Sequence, residues 1–160
     1  MSTPDKAAVV AGLQAQIQSE LQSLESLAAM ARDEATSSET KAEGKYDTRA
    51  TEASYLARGQ AWRITELRQL LAWLHSDVAV AKLAEPLVQV SALVRIQGAR
   101  SEIVFVAPIG GGKTTIGDET IRLISPASPL GEAMAELELG DAFEVESPRG
   151  LLEYEITGLS

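Results

Sequence analysis

Two apolar stripes of helical period fill the first half of this chain and limit what it can fold into. Apolar or small residues recur at Val10, Leu13, Ile17, Leu21, Leu24, Ala28, Ala31 and Ala35, in alternating steps of three and four. A second stripe runs through Tyr46, Ala50, Ala53, Ala57, Gln60, Ile64, Leu67, Leu71 and Leu74. Spacing of that kind, sustained over several heptads, marks a coiled-coil seam. Thr36-Ser37-Ser38-Glu39-Thr40 and Gly44 lie between the stripes and have turn chemistry, so the connection is short and the helices must run antiparallel. Ser2, Thr3 and Pro4 suit a helix start. Roughly 30 residues per helix at ~1.5 Å each predict an arm of about 45 Å.

The seam is graded. Near the turn Ala28, Ala31 and Ala35 are expected to face Ala50, Ala53 and Ala57. At the open end Val10, Leu13 and Ile17 are expected opposite Ile64, Leu67 and Leu71. Small residues let helix axes approach, so the hairpin should be thinnest at its tip, which is the shape of a probe. A coiled coil built for dimerisation would carry a uniformly large seam.

After Ser76 the period changes. Val88-Gln89-Val90, Leu93-Val94-Arg95-Ile96, Ile103 to Val106 and Ile121 to Ile124 are short runs rich in β-branched residues. A helical stretch is expected from about Leu130 to Leu137. Two further strands alternate apolar and acidic residues: Phe143 and Val145 with Glu144 and Glu146, then Leu152, Tyr154 and Ile156 with Glu153 and Glu155. Ser147-Pro148-Arg149-Gly150 joins them as a turn. The expected fold class is therefore α+β, a helical hairpin followed by a small antiparallel β-sheet domain with one short helix. The expected divisions are 1–76 for the coiled-coil arm, 77–85 for a linker and 86–160 for the globular domain.

Composition excludes whole classes of function. Fourteen basic residues against 23 acidic ones give a formal net charge of −9, which disfavours nucleic acid or an anionic membrane as the main partner. The absence of cysteine removes disulfides, zinc knuckles and thiol chemistry, and one histidine, His75, leaves little for a His-based metal site. His75 instead fits the end of the second helix, where a cation suits the dipole. No signal-like N-terminus and no bilayer-length apolar run is present, so a cytoplasmic location without membrane is expected.

One motif points the wrong way. Ala107-Pro108-Ile109-Gly110-Gly111-Gly112-Lys113-Thr114 fits a relaxed phosphate-loop pattern. A working phosphate loop must open a helix whose N-terminal amides hold the phosphates. Thr115-Ile116-Gly117-Asp118-Glu119 follows instead, with turn residues where the first helical turns would be. The expectation is no nucleotide at 107–114, only a glycine-rich loop between two antiparallel strands. Trp62 lies off the seam, and Trp73 is expected to pack where the arm meets the second domain.

The acids are unevenly placed. Asp33, Glu34, Glu39, Glu43 and Asp47 face only Lys41 and Lys45 across that stretch, which puts an acidic tip near 36–45. Carboxylates on a protruding point can help hold a hard cation at another protein's site. A second group, Glu144, Glu146, Glu153 and Glu155, should share one sheet face.

The segment from Ile124 through Ser125-Pro126-Ala127-Ser128-Pro129-Leu130-Gly131-Glu132 to Met134, continuing through Gly140-Asp141, Val145, Pro148, Gly150, Tyr154 and Ile156, resembles the C-terminal domain of Gre-type transcript cleavage factors. That resemblance implies a coiled coil with an acidic tip and an FKBP-like globular domain. It implies RNA polymerase as the partner, with Ser128, Pro129 and Leu130 as docking candidates. It also implies that the arm enters the secondary channel, where the tip acids Glu39, Glu43 and Asp47 assist the polymerase's own magnesium in cleaving the RNA of a backtracked complex. Nascent RNA would be met only indirectly, within that complex. The chain would have no catalytic residues, cofactor or metal of its own, so it would not be an enzyme.

The tip departs from the family pattern, which places two acids three residues apart ahead of a tyrosine. Aligning on Tyr46 puts Glu39 at the first acid and Ala42 at the second, with Glu43 one place further on. A non-cleaving regulator of the same channel is therefore an alternative. A further alternative is an FKBP-like prolyl isomerase or chaperone, whose pocket would need Phe105, Phe143 and Tyr154 to converge.

Overall fold

The computed structural model describes residues 2–38 and 48–160. Helix α1 spans Lys6–Ser38 and α2 spans Thr48–Leu74, followed by a single turn, α3, at Asp77–Val80. The strands are β1 (Leu93–Gln97), β2 (Ser101–Val106), β3 (Lys113–Ile116), β4 (Glu119–Ile124), β5 (Ala142–Ser147) and β6 (Gly150–Leu159), with α4 (Pro129–Met134) between β4 and β5. They form one six-stranded sheet in the order β3-β4-β2-β1-β6-β5. The expected α+β class holds.

The sheet is buried on both faces at its centre, which is why β1 and β2 read as mainly apolar, with Leu93-Val94 and Ile96 around Arg95 and an unbroken run from Ile103 to Val106. Leu93, Ile103, Phe105, Ile121 and Leu123 point to one face and join Val9, Leu13, Ile17, Leu67 and Leu70 of the helices in a single core. Val94, Ile96, Val104, Val106 and Ile156 point to the other and pack with Met134 of α4 and with Phe143. The base of the hairpin thus lies on the sheet, and only its outer part is free of the body. Trp73 packs against Phe105 with ring centroids 5.8 Å apart, the arm-to-body contact expected for it.

Contact with the sheet widens the buried face of α2 beyond a two-helix seam. Leu70 is 1% exposed, whereas Leu71, the expected seam residue, is half-buried. Val9, off the expected α1 stripe, is fully buried for the same reason. Towards the tip burial fades: Ala28 is half-buried, while Ala31 and Ala57 are exposed rather than packed face to face. Ala35, Ala50 and Ala53 lie outside the residues whose side chains are described.

The sheet is mixed, which corrects the expected all-antiparallel arrangement. β2 and β4 pair in parallel, Ile103 with Ile121 and Val106 with Ile124. β3, not foreseen as a strand, pairs antiparallel with β4 from Lys113↔Arg122 to Ile116↔Glu119. The chain leaves β2, passes over the end of β4 through residues 107–112, and returns as β3 with β4 filling the space between. The glycines make that crossing possible. A β-carbon on Gly110 would come within 3.0 Å of the Ser125 amide nitrogen, and Gly111 and Gly112 have φ of 100° and 122°. The backbone bonds Ala107 N to Ile124 O at 2.8 Å and Gly111 N to Leu123 O at 3.1 Å close the loop onto β4.

Two other expectations change. Val88-Gln89-Val90 is not a strand: Leu87 makes an isolated bridge with Glu138, and the chain then turns through Ser91 at φ 79°. Helix α4 stops at Met134, because Glu136 adopts φ 64° and its amide bonds Val88 O at 2.9 Å. Pairing with residues 87–88 takes the segment that was expected to extend the helix.

Candidate functional site

Glu39, Glu43 and Asp47, the tip acids, lie outside the described residues. The docking candidates are described in full. Ser128 caps α4 by accepting a hydrogen bond from Gly131 N at 3.1 Å, and its hydroxyl donates to Ser125 O at 2.7 Å. A serine cap followed by Pro129 in the first turn is strong helix-start chemistry. Gly131 cannot carry a side chain here, since its β-carbon would overlap the carbonyl oxygen of Ser125. The result is a tight turn with Pro126, Ala127 and Pro129 exposed, and with Leu130 half-buried against the α4-side core.

Ser128 also faces the arm across an open groove of ≈ 510 Å³. Pro108 to Gly111 form one wall, Leu123, Ile124, Ser125 and Ser128 another, and Glu66 of α2 closes the arm side. The structure therefore brings the Ser128-Pro129 turn, the glycine-rich loop and the arm's base together. Arg63 fixes this junction: its guanidinium lies 3.2 Å from both Glu20 and Glu66. Gly111 leaves room for it, as a β-carbon there would stand 3.2 Å from Arg63 Nη2. Trp62, 70% exposed, donates its indole N–H to Glu66 at 2.8 Å.

Arg63 was not singled out by the sequence. Its spacing to Glu66 is an ordinary helical pair, and Glu20 is 43 positions away. Arg95 was also missed, hidden inside an apolar strand. It is only 9% exposed and ties the chain's start to the sheet, donating to Ser2 O at 3.0 Å and pairing with Glu119 at 2.7 Å. Nearby, burial lowers the pKa of Lys6, whose ammonium donates to Ala81 O at 2.9 Å.

The chemistry of the groove is limited. β3 follows the glycine-rich loop directly, so the helix N-terminus that a phosphate loop needs is not there. None of the side chains lining the groove is aromatic. Phe105 is fully buried against Trp73, while Phe143 and Tyr154 stack on each other at 5.5 Å, so these three rings do not converge on a proline pocket. Among the described residues no three His, Asp or Glu side chains are grouped to hold a metal ion, and no helix is long and apolar enough to cross a membrane.

The second acidic group is assembled as expected. Glu144 pairs directly with Glu153, and Glu146 and Glu155 sit on the same face of the β5–β6 hairpin, all four exposed. On the opposite face the Tyr154 hydroxyl is pushed above its usual pKa, first by burial and then by Glu102.

Comparison with known proteins adds what geometry alone does not. Residues 94–160 match the family model described as "Transcription elongation factor, GreA/GreB, C-term". No curated protein matches the chain. Among solved structures, the chain is similar to Gfh1 of Thermus aquaticus at 16% identity, covering 89% of this chain and 90% of that one, with a TM-score of 0.38. It is similar to GreA factor homolog 1 (Gfh1) of Thermus thermophilus at 16% identity, over 93% and 95% of the two chains, with a TM-score of 0.37. It is also similar to the transcription elongation factor GreA/GreB from Nitrosomonas europaea at 22% identity, over 59% and 78%, with a TM-score of 0.37. The family match, rather than these loose superpositions, carries the assignment. It covers the Ser128-Pro129 turn, α4, the Gly140-Asp141 pair and the β5–β6 hairpin, so residues 94–160 are similar to the C-terminal domain of GreA/GreB transcription elongation factors.

Proposed function

We propose that this protein is an elongation factor that binds RNA polymerase, enters the secondary channel with its helical hairpin and modulates the active site, stimulating RNA cleavage in backtracked complexes. The observation that carries the reading is the GreA/GreB C-terminal match over residues 94–160, joined to a hairpin whose helices run 33 and 27 residues. In this reading the arm is residues 1–76, 77–85 connects it, and 86–160 is an FKBP-like body that docks through Ser128, Pro129 and Leu130. Glu39, Glu43 and Asp47 then assist the magnesium of the polymerase, favouring attack of a metal-activated water on the RNA phosphodiester. The reacting groups belong to the polymerase, so the protein acts as a factor and not as an enzyme.

A purified backtracked polymerase complex incubated with the protein and magnesium tests this. The expected result is shortening of the RNA from its 3′ end, lost when Glu39→Ala, Glu43→Ala and Asp47→Ala are combined. The four-residue spacing of Glu39 and Glu43 favours a second reading, a channel regulator that does not cleave, because magnesium demands near-ideal ligand geometry. Binding without shortening would select that reading. No binding to polymerase would contradict both.

A further inference from the structure

The sheet has two edges, and they are treated differently. β3 is four residues long and lies beneath α1, where a β-carbon on Gly12 would stand 2.5 Å from Thr114 Oγ1. β5 is six residues long, stands at the other edge and packs against β6 and α4. Its outer side is open.

The register says which backbone groups are on that side. The β5–β6 hairpin closes on Ser147↔Gly150 across a two-residue loop, a hydrogen-bonded pair. Alternation then turns the N–H and C=O groups of Val145 and Phe143 inward, towards Leu152 and Tyr154. The bonds of Ile156 N to Asp141 O at 2.9 Å and of Gly140 N to Ile156 O at 2.8 Å continue the same phase. Ala142, Glu144 and Glu146 therefore present their N–H and C=O groups outward, with no protein partner for them among the described residues.

The side chains along this edge are sorted by face. Glu144 and Glu146, backed by Glu153 and Glu155, are exposed on one. Phe143 and Val145 lie on the other, beside Tyr154 and the 40% exposed Leu152. Acidic residues on an edge strand ordinarily keep it from pairing with itself. Here they do so specifically: the antiparallel registers that would pair the body of β5 with a second copy set Glu144 or Glu146 opposite or diagonal to another glutamate. The same arrangement suits a strand of opposite pattern.

We propose that β5 accepts an extended segment of another protein as an added strand, one that alternates basic and apolar residues. Its backbone would bond Ala142, Glu144 and Glu146, its Lys or Arg side chains would lie over the glutamate face, and its apolar side chains would extend the Val145–Leu152 face. This goes beyond the polymerase reading and does not depend on it.

The test is a titration of the full-length, isotope-labelled protein with the peptide Lys-Val-Lys-Thr-Lys-Val, followed by NMR. The expected result is saturable shifts along β5, with slowed hydrogen exchange at the amides of Ala142, Glu144 and Glu146. A peptide of the same sequence with alternate amides N-methylated keeps the charge but cannot form the ladder, and should bind at least about tenfold more weakly. Combining Glu144→Lys with Glu146→Lys should weaken the lysine peptide about tenfold or more and confer binding of Glu-Val-Glu-Thr-Glu-Val. Unchanged α4 and β2 resonances in that variant confirm its fold. No shift in β5, equal binding of the N-methylated peptide, or self-association through β5 would each overturn the proposal. No polymerase is present in this experiment, so its failure is a separate result from failure of RNA cleavage.

Discussion

Gly131 holds the Ser128-Pro129 turn together by what it lacks. The first turn of α4 folds back over Ser125, and a methyl group at Gly131 would overlap that residue's carbonyl oxygen. The obstacle is backbone, so it cannot rotate away. Gly131→Ala should cost about 2–4 kcal/mol in urea unfolding. Ser128→Ala, which removes only a cap, should cost about 1 kcal/mol. A neutral Gly131→Ala would mean the turn opens easily. Capping is local chemistry, so Ser128-Pro129 could be read directly from the sequence. Arg63 could not, because its partner Glu20 arrives only through the fold, and neither could Arg95, a charge placed where the local pattern demands an apolar residue.

At the scale of elements, α2 departs from a simple seam. A helix packed on one partner buries a single stripe, but α2 packs on both α1 and the sheet, and of the adjacent pair Leu70 and Leu71 it is Leu70 that is buried. Leu70→Ala should therefore cost about 2–4 kcal/mol and Leu71→Ala roughly half that, measured by chemical denaturation. Equal costs would restore the two-helix picture. β1 and β2 were legible because burial on both faces demands apolar residues at most positions, Arg95 being the exception in β1. β3 was not, since Lys113-Thr114-Thr115-Ile116 is short and polar at an edge. The parallel pairing of β2 with β4 depends on β3, so it was hidden with it. Glycines 110–112 resembled a nucleotide site because both structures need a backbone free of side chains, one to approach phosphate and the other to cross a strand end.

For the molecule as a whole, the −9 net charge is divided unevenly. Residues 1–76 carry eight bases and ten acids, whereas 77–160 carry six and thirteen, so most of the excess belongs to the body. The helices and the sheet also share one core through Leu13, Leu67 and Phe105. Arm base and body should consequently unfold as one unit. Thermal melts followed by helix circular dichroism and by Trp73 fluorescence, with Trp62→Phe to remove the exposed indole, should coincide. Two separate transitions would show an arm that folds independently. The outer arm gains little from that core: Leu27, Met30, Tyr55 and Leu56 are all more than half exposed. That exposure suits the proposed insertion of the arm into another protein.

In the proposed function the tip of this hairpin reaches the polymerase active site. A photocrosslinking group introduced at Glu43, in a complex of the full-length protein with purified RNA polymerase, tests it most directly. Crosslinks to polymerase segments beside the catalytic magnesium are expected, competed away by an excess of unmodified protein. Crosslinks confined to the outer surface of the polymerase, or none in a complex shown to have formed, would contradict it.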